Sequence, residues 1–243
     1  MESRFSFTVR TTASQADHRC ALRYDGILAL IQDVTTQHSE RMGISHQDLI
    51  DKSNAYWVIS KIKFKTEGII DSRREYKVET WPHKPGALRY VRDYRITCND
   101  STIEGRSEWC ILDRDTLAIR RTDSVVYPEN FVHDEERTSV SDFMRFREQV
   151  SEGDYSYTYR TVFTDIDCNG HVNNLAYARM ALNTFSPEQF EAGGFNAFEI
   201  HFISQTYFGN EISIYRKTAS SGGEYVEGRM GEKKIFAVLF YNE

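Results

Sequence analysis

Gly26-Ile27-Leu28-Ala29-Leu30-Ile31 is the stretch on which the fold turns. Six consecutive small or apolar residues leave a helix no polar face at this point, so other structure must enclose it. Working outward, Leu22, Ile27, Leu30, Ile31 and Val34 recur at helical spacing, which predicts a helix over residues 21–42 with Gly43 as its C-terminal cap. A short helix is expected near 47–52. Strands rich in aromatic and β-branched residues follow at about 55–66, 75–81, 88–98 and 103–112. On the first of these, Ile62 and Phe64 are expected inward, against Lys61, Lys63 and Lys65 outward.

The same order of elements recurs. A strand is expected at 155–164, a helix at 173–184, a second helical piece after Pro187, and strands at 197–205, 211–218, 224–230 and 233–241. Thr8-Val9-Arg10-Thr11 resembles Thr161-Val162-Phe163-Thr164 at an offset of 153 (161 minus 8), which His18 with His171 and Tyr24 with Tyr177 share. Later pairs drift, with Ile62 and Phe64 matching Ile200 and Phe202 at 138, and Tyr90-Val91 matching Tyr225-Val226 at 135. A helix followed by antiparallel strands, seen twice, predicts an α+β chain: a tandem or double hotdog, each half an antiparallel sheet wrapped around a long helix. The expected divisions are an N-terminal hotdog over 1–125, a polar linker over 126–154 containing Pro128 and Asp134-Glu135-Glu136-Arg137, and a C-terminal hotdog over 155–243.

Composition narrows the partners. The 243 residues are 40% hydrophobic and 27% charged, as in an ordinary soluble protein, and a net charge of −6 argues against broad nucleic-acid binding. No apolar run approaches the roughly 20 residues that cross a bilayer. The start Met1-Glu2-Ser3-Arg4-Phe5-Ser6 lacks an apolar core followed by a cleavage site, so a cytoplasmic location without membrane partners is expected. Cys20, Cys98, Cys110 and Cys168 are widely spaced with no CxxC pair, which predicts reduced thiols and no metal site.

The chemistry concentrates in Asp165-Ile166-Asp167-Cys168-Asn169-Gly170-His171-Val172-Asn173, a turn before a helix. Asp167 can act as a general base or orient His171, while the Asn169 amide can donate to a carbonyl or place a water. Backbone N–H groups of Val172, Asn173 and Asn174 at the helix start are candidates for an oxyanion site. The competing reading is that Asp, Asn and Gly merely make the turn, with Asn173 or Asn174 capping the helix. At an offset of 153, Ser14 and Ala16 stand opposite Asp167 and Asn169, so the first half is expected to make this turn without carboxylate or amide, which favours chemistry in the second. Alternation along the segment points Cys168 to the opposite face, so a small buried residue is expected rather than a nucleophile. His18 is expected to remain as a structural histidine bonded at its turn. His38, His46, His83, His133 and His201 show no partner pattern.

Tyr56-Trp57-Val58-Ile59, Glu79-Thr80-Trp81-Pro82 and Arg92-Asp93-Tyr94, together with Asp167-Cys168-Asn169-Gly170-His171-Val172-Asn173-Asn174 followed by Tyr177, resemble the signatures of the acyl-ACP thioesterases, the plant fatty-acyl hydrolases and their bacterial relatives. The resemblance covers nearly the whole chain. It implies hydrolysis of fatty acyl-[acyl-carrier-protein] to free fatty acid and carrier thiol, without metal or cofactor. Catalysis would fall to Asp167, Asn169 and His171 in the second half, and acyl-chain binding to the first half, with Ile27, Leu28, Ile31, Trp57 and Ile59 as candidate contacts. Two departures stand out: Met180 replaces a Trp of the plant enzymes, and their catalytic Glu aligns with Ile203, beside Ser204, with Glu199 and Gln205 nearby. Alternatives are an acyl-CoA thioesterase and a non-catalytic acyl-binding regulator. An acidic acyl carrier protein would be steered by Lys61, Lys63 and Lys65 or by Arg120-Arg121, although exposed strand lysines commonly serve as edge protection. A monomer or a homodimer is expected, since two hotdogs in one chain already supply their own pairing.

Overall fold

In the first half the expected strands form one antiparallel sheet. Its members are β1 (Phe5–Arg10), β2 (Ala55–Glu67), β3 (Glu75–Pro82), β4 (Tyr90–Cys98) and β5 (Ser101–Asp113), in spatial order β1-β3-β4-β5-β2, with the short β6 (Ile119–Arg120) beside β5. The computed structural model describes residues 3–243 apart from 69, 126 and 130. It divides into two compact units, Met1–Ser141 and Asp142–Glu243. Helix α1 (Tyr24–Arg41) lies against β1 and β3, with Ile27, Leu28, Leu30, Ile31 and Val34 each at most 2% exposed, so the apolar stretch is enclosed. It starts three residues later than its apolar pattern because Ala21 and Leu22 are engaged in extended bridges to Asp71 and Ala16. Gly43, at φ +66°, follows its end. A capping box between Ser45 and Asp48 opens the next helix, α2 (His46–Ser53).

The second unit repeats this plan with shorter helices. Strands β7 (Tyr155–Arg160), β8 (Ala197–Phe202), β9 (Glu211–Thr218), β10 (Glu224–Met230) and β11 (Lys233–Tyr241) pair antiparallel in the order β7-β9-β10-β11-β8. Helix α3 (Asn174–Leu182) has 9 residues where α1 has 18, and α4 (Pro187–Gly193) begins at a proline after the N-cap Ser186. Ala176, Tyr177, Ala178, Met180 and Ala181 are the buried face of α3.

Strand pairing corrects the internal alignment. Arg10 lies opposite Glu75, and Arg160 opposite Glu211, so the first strands match at an offset of 150 (160 minus 10) and the third at 136 (211 minus 75). Thr11 is therefore the counterpart of Thr161, and each donates its N–H to the matching carbonyl, Arg74 or Asn210, at 2.9 Å. The offset of 153 came from a chance likeness of one four-residue stretch with the coincidences of His18 with His171 and Tyr24 with Tyr177, whereas backbone pairing admits one register. The later offsets move too: Thr97 opposite Lys77 and Arg229 opposite Ser213 are 132 apart (229 minus 97), not 135.

Residues 131–151 contain neither helix nor strand, yet they are tightly held. In the first unit, the Trp81 indole donates to the Glu136 carbonyl at 2.7 Å and Ser139 N–H to Glu104 at 2.8 Å. In the second, Met144 N–H donates to Glu199 at 2.9 Å and Phe146 stacks on His201 at 4.1 Å. The outer faces of both sheets are thus covered rather than wet. For this reason Lys63, expected in solvent, is fully buried, with its ammonium donating to Ser141.

The same face carries a buried charge network. Arg106 donates to both Asp93 oxygens at 2.7 and 3.0 Å, Thr138 N–H donates at 2.9 Å, and His83 Nε2 lies 3.1 Å from the same carboxylate. Burial alone would push the Asp93 carboxyl up, but these hydrogen bonds and the Arg106 charge hold it well below the usual carboxylate range. His38 and His201, which showed no partner pattern, likewise bond to Arg92 at 2.8 Å and Glu199 at 2.7 Å. Asp93→Asn leaves Arg106 without its counter-charge, and urea unfolding at pH 7 should show a loss of about 3–5 kcal/mol. Because the folded carboxyl is depressed, its contribution is complete above the unfolded value of about 3.9 and fades as pH falls through the lower folded value. The wild-type advantage should therefore persist at about pH 5 and narrow only below about pH 4.

Candidate active site

The motif folds as a closed turn between β7 and α3. Asp167 N–H donates to the His171 carbonyl at 2.9 Å, Gly170 N–H to the Asp167 carbonyl at 3.0 Å, and the Asp167 Oδ1 accepts from the N–H groups of Asn169 and His171 at 2.8 and 3.3 Å. Gly170 sits at φ +78°, a left-handed position that suits a residue without Cβ. Asp165, buried, fixes the entry by accepting from Val162 N–H at 2.8 Å and the Tyr159 hydroxyl at 2.9 Å. The exit is fixed by the Asn173 side chain, which caps α3 by accepting from Leu175 N–H at 2.9 Å.

The first unit builds this turn almost atom for atom. Asp17 Oδ1 accepts from the N–H groups of Arg19 and Ala21, both at 2.8 Å, Asp17 N–H donates to the Ala21 carbonyl at 2.8 Å, and Cys20 takes φ +64°. At the offset of 150, Asp17 matches Asp167, His18 matches Cys168, Arg19 matches Asn169 and Ala21 matches His171. The expectation that Ser14 and Ala16 stand opposite Asp167 and Asn169 is therefore wrong. A carboxylate is present in both units because the turn itself uses it; what the second unit adds is Asn169 and His171. His18 is exposed and forms no hydrogen bond among the described residues, so it is not the structural histidine expected.

The site side chains differ in what already occupies them. Among the described residues, Asp167 Oδ2, the Asn169 amide and the His171 imidazole have no hydrogen-bond partner, so all three are open to a ligand or water. Two of the three expected oxyanion donors are not. Val172 N–H donates to the Thr206 carbonyl at 2.9 Å and Asn173 N–H to the Asp165 carbonyl at 2.7 Å, which leaves Asn174 N–H, at the start of α3, without a partner among the described residues. Cys168 is exposed, not buried: alternation fails because the segment is a turn rather than a strand. Ile203, which the resemblance aligns with a plant Glu, lies 49% exposed just past β8, while Glu199 is buried against His201 and the Met144 N–H.

Residues that sequence reading passed over complete the site. Thr206, fully buried, bonds to the Tyr177 hydroxyl at 2.8 Å and receives Val172 N–H, tying the loop before β9 to the motif. Tyr207 meets His171 edge to face with centroids 5.2 Å apart. Burial pushes the Tyr177 phenol up, against the Thr206 hydrogen bonds and with the added charges of Asp167 and Tyr207. Only pairing across the sheet brings residues 206–207 to the turn, and no local pattern announces it.

In the first unit, Ile27, Leu28, Ile31 and Ile59 are closed core, at most 6% exposed. Trp57 belongs to a different cluster, with Met42, Leu49 and Tyr90, and donates its indole N–H to the Ile44 carbonyl at 2.8 Å. A cavity of about 480 Å³ in this unit is lined instead by Arg19, Cys20, Ala21, Asp71 and Arg74, among others. The basic candidates for carrier steering are internally paired: Lys61 with Glu108 at 3.5 Å, Lys65 with Glu67 at 3.4 Å, Arg121 with Asp123 at 3.2 Å, and Arg120 with Asp113.

Comparison with known proteins covers both units. The family model described as the acyl-ACP thioesterase N-terminal domain matches residues 2–129, and that of the C-terminal domain matches 148–233. A chloroplastic acyl-[acyl-carrier-protein] hydrolase of Cuphea viscosissima is 23% identical over 201 residues, covering 78% of this chain and 48% of its own. The chloroplastic palmitoyl-acyl carrier protein thioesterase of Cuphea hookeriana is 23% identical over 241 residues, covering 91% and 56%. The chain thus spans about half the length of the curated relatives it matches. Among solved structures, an acyl-ACP thioesterase from Bacteroides thetaiotaomicron superposes with a TM-score of 0.88 at 20% identity, covering 99% of this chain and 98% of the other. The 12:0-ACP thioesterase of Umbellularia californica gives 0.82 at 14%, covering 99% and 97%. Both share the fold.

The doubled turn makes a direct prediction. Asp17→Ala removes the side-chain acceptor of two backbone N–H groups, Arg19 and Ala21, in the first unit, and urea unfolding should show a loss of about 1–2 kcal/mol. An unchanged midpoint would mean that the turn does not depend on its carboxylate.

Proposed function

The chain belongs to the acyl-ACP thioesterase family, and from that premise we propose that it hydrolyses the thioester of a fatty acyl-[acyl-carrier-protein] to free fatty acid and carrier thiol. The observation that carries this reading is the contrast between the two turns. Both use an aspartate to close the backbone, yet only the second presents Asn169 and His171 with side chains free to act.

Hydrolysis needs a base for water and donors for the oxygen that becomes negative. Asp167 holds the turn through Oδ1 and keeps Oδ2 for a water, and the His171 imidazole is the second available proton acceptor. The Asn169 amide and Asn174 N–H are the donors available to the carbonyl oxygen as the tetrahedral intermediate forms. With Ile203 at the plant Glu position, the turn itself supplies the proton acceptor. The proton taken from water is returned to the departing carrier sulfur, so the step balances without an added group.

The proposed partner is an acyl carrier protein bearing a fatty acyl chain, in the cytoplasm, with the enzyme acting as a monomer or homodimer. Among the described residues no helix is long and apolar enough to cross a membrane. In this reading the second unit carries the catalytic residues.

Asp167→Asn separates the two uses of this side chain, because the amide oxygen can still accept the turn hydrogen bonds while the base is lost. Its turnover of fatty acyl-ACP should fall about 10²–10⁴-fold, with unchanged circular dichroism. Asn169→Ala should cost about 10²–10³-fold as a lost transition-state donor, and His171→Ala should likewise lose orders of magnitude. Wild-type rates in all three would sink the assignment. Running acyl-CoA beside acyl-ACP separates a carrier-selective enzyme from an acyl-CoA thioesterase, and tight acyl binding without turnover would indicate a regulator instead.

A further inference from the structure

What the motif leaves unexplained is the direction of the His171 ring. Its backbone N–H and carbonyl are both tied to Asp167, yet its imidazole has no hydrogen-bond partner among the described residues. A half-buried imidazole without a partner is free to change rotamer, and a proton acceptor that rotates is a poor one. Among the described residues the one ring that meets it is Tyr207, with centroids 5.2 Å apart and planes at 62°.

Tyr207 combines a fixed backbone with an exposed side chain. Its N–H donates to Asn210 Oδ1 at 2.9 Å, and its carbonyl accepts from Thr161 Oγ1 at 2.6 Å and from Asn210 N–H at 3.2 Å. Its ring nevertheless leaves the residue 53% exposed, so core packing does not account for it.

The first unit serves as an internal control. At the offset of 150 His171 becomes Ala21, and at the offset of 136 Tyr207 becomes Asp71; the bridge between Ala21 and Asp71 places these two side by side. Where the imidazole is missing the aromatic ring is missing as well, and both replacements line the cavity of about 480 Å³. The anchors on either side of the ring recur in both units, Leu22 N–H to the Ile70 carbonyl as Val172 N–H to the Thr206 carbonyl, and Thr11 N–H to Arg74 as Thr161 N–H to Asn210, so these anchors do not require the ring.

We propose that Tyr207 is a positioning residue for His171, its ring holding the imidazole in a T-shaped contact so that a ring nitrogen is presented to the thioester. This rests on the hydrolase reading above. The contact uses the ring and not the hydroxyl, so Tyr207→Phe should preserve it and Tyr207→Ala should abolish it.

The test has two readouts on the full chain. In proton–carbon NMR, the His171 ring protons, assigned by their absence in His171→Ala, should carry a ring-current shift that Tyr207→Phe keeps and Tyr207→Ala loses. In hydrolysis of the fatty acyl-ACP turned over fastest by wild type, Tyr207→Ala should lower kcat about tenfold with KM within about twofold, and Tyr207→Phe should stay within about twofold of wild type. A wild-type kcat for Tyr207→Ala, an unmoved ring shift, or a Tyr207→Phe as slow as the alanine variant would each overturn the proposal. A wild type without turnover on any acyl-ACP would sink the hydrolase reading instead, and the ring shift would then decide the contact by itself.

Discussion

One carboxylate oxygen accepting two backbone N–H groups is the interaction on which the site depends. Asp167 Oδ1 folds Asn169 and His171 back over five residues, so that an amide and an imidazole emerge from a single turn at the start of α3. Because Oδ1 satisfies backbone donors, the turn needs no support from the side chains that face outward. Those side chains are free to vary, and Asp17 shows the consequence: the same hydrogen bonds carry Arg19 and Ala21 instead. Structure and chemistry are thus separable here, with one oxygen serving the first and its neighbour available to the second.

The second constraint is the covering of the sheet faces. Residues 136–141 lie on the first sheet and 144–150 on the second, and they convert what would be wet outer faces into buried ones. Buried polar groups must then find partners. Asp93 with Arg106, His83 and Thr138, and Glu199 with His201 and Met144, are how this chain meets that demand. Glu199 therefore belongs to the packing of the second sheet.

The chain displays much of this plainly. The enclosed helix was legible in Gly26 to Ile31, the strands in their alternation, and Asp167, Asn169 and His171 in their chemical types, because all of these are local properties. Internal symmetry was visible but misaligned. A four-residue likeness and two further pairs, His18 with His171 and Tyr24 with Tyr177, suggested an offset of 153, whereas the pairing of Arg10 with Glu75 and Arg160 with Glu211 shows 150, and this reversed the meaning of the carboxylate. Cys168 was misjudged because alternation applies to strands, and this segment is a turn. Lys63 was misjudged because a residue outward on a strand is wet only if nothing covers it.

By itself, then, the sequence determined the two helix-and-sheet units, the family signatures and the residue types of the turn, since helical period, strand alternation and motif order are written along the chain. Only the tertiary structure decided which amides stay open and what stands beside His171. Val172 N–H is taken by Thr206 and Tyr207 meets the imidazole because the pairing of β7 with β9 brings partners 34 and 36 residues away, while Asn173 N–H is taken by Asp165 within the turn and Asn174 N–H stays open among the described residues. Hydrogen bonding and ring contact are properties of proximity in space, and the backbone pairing of the sheet creates that proximity.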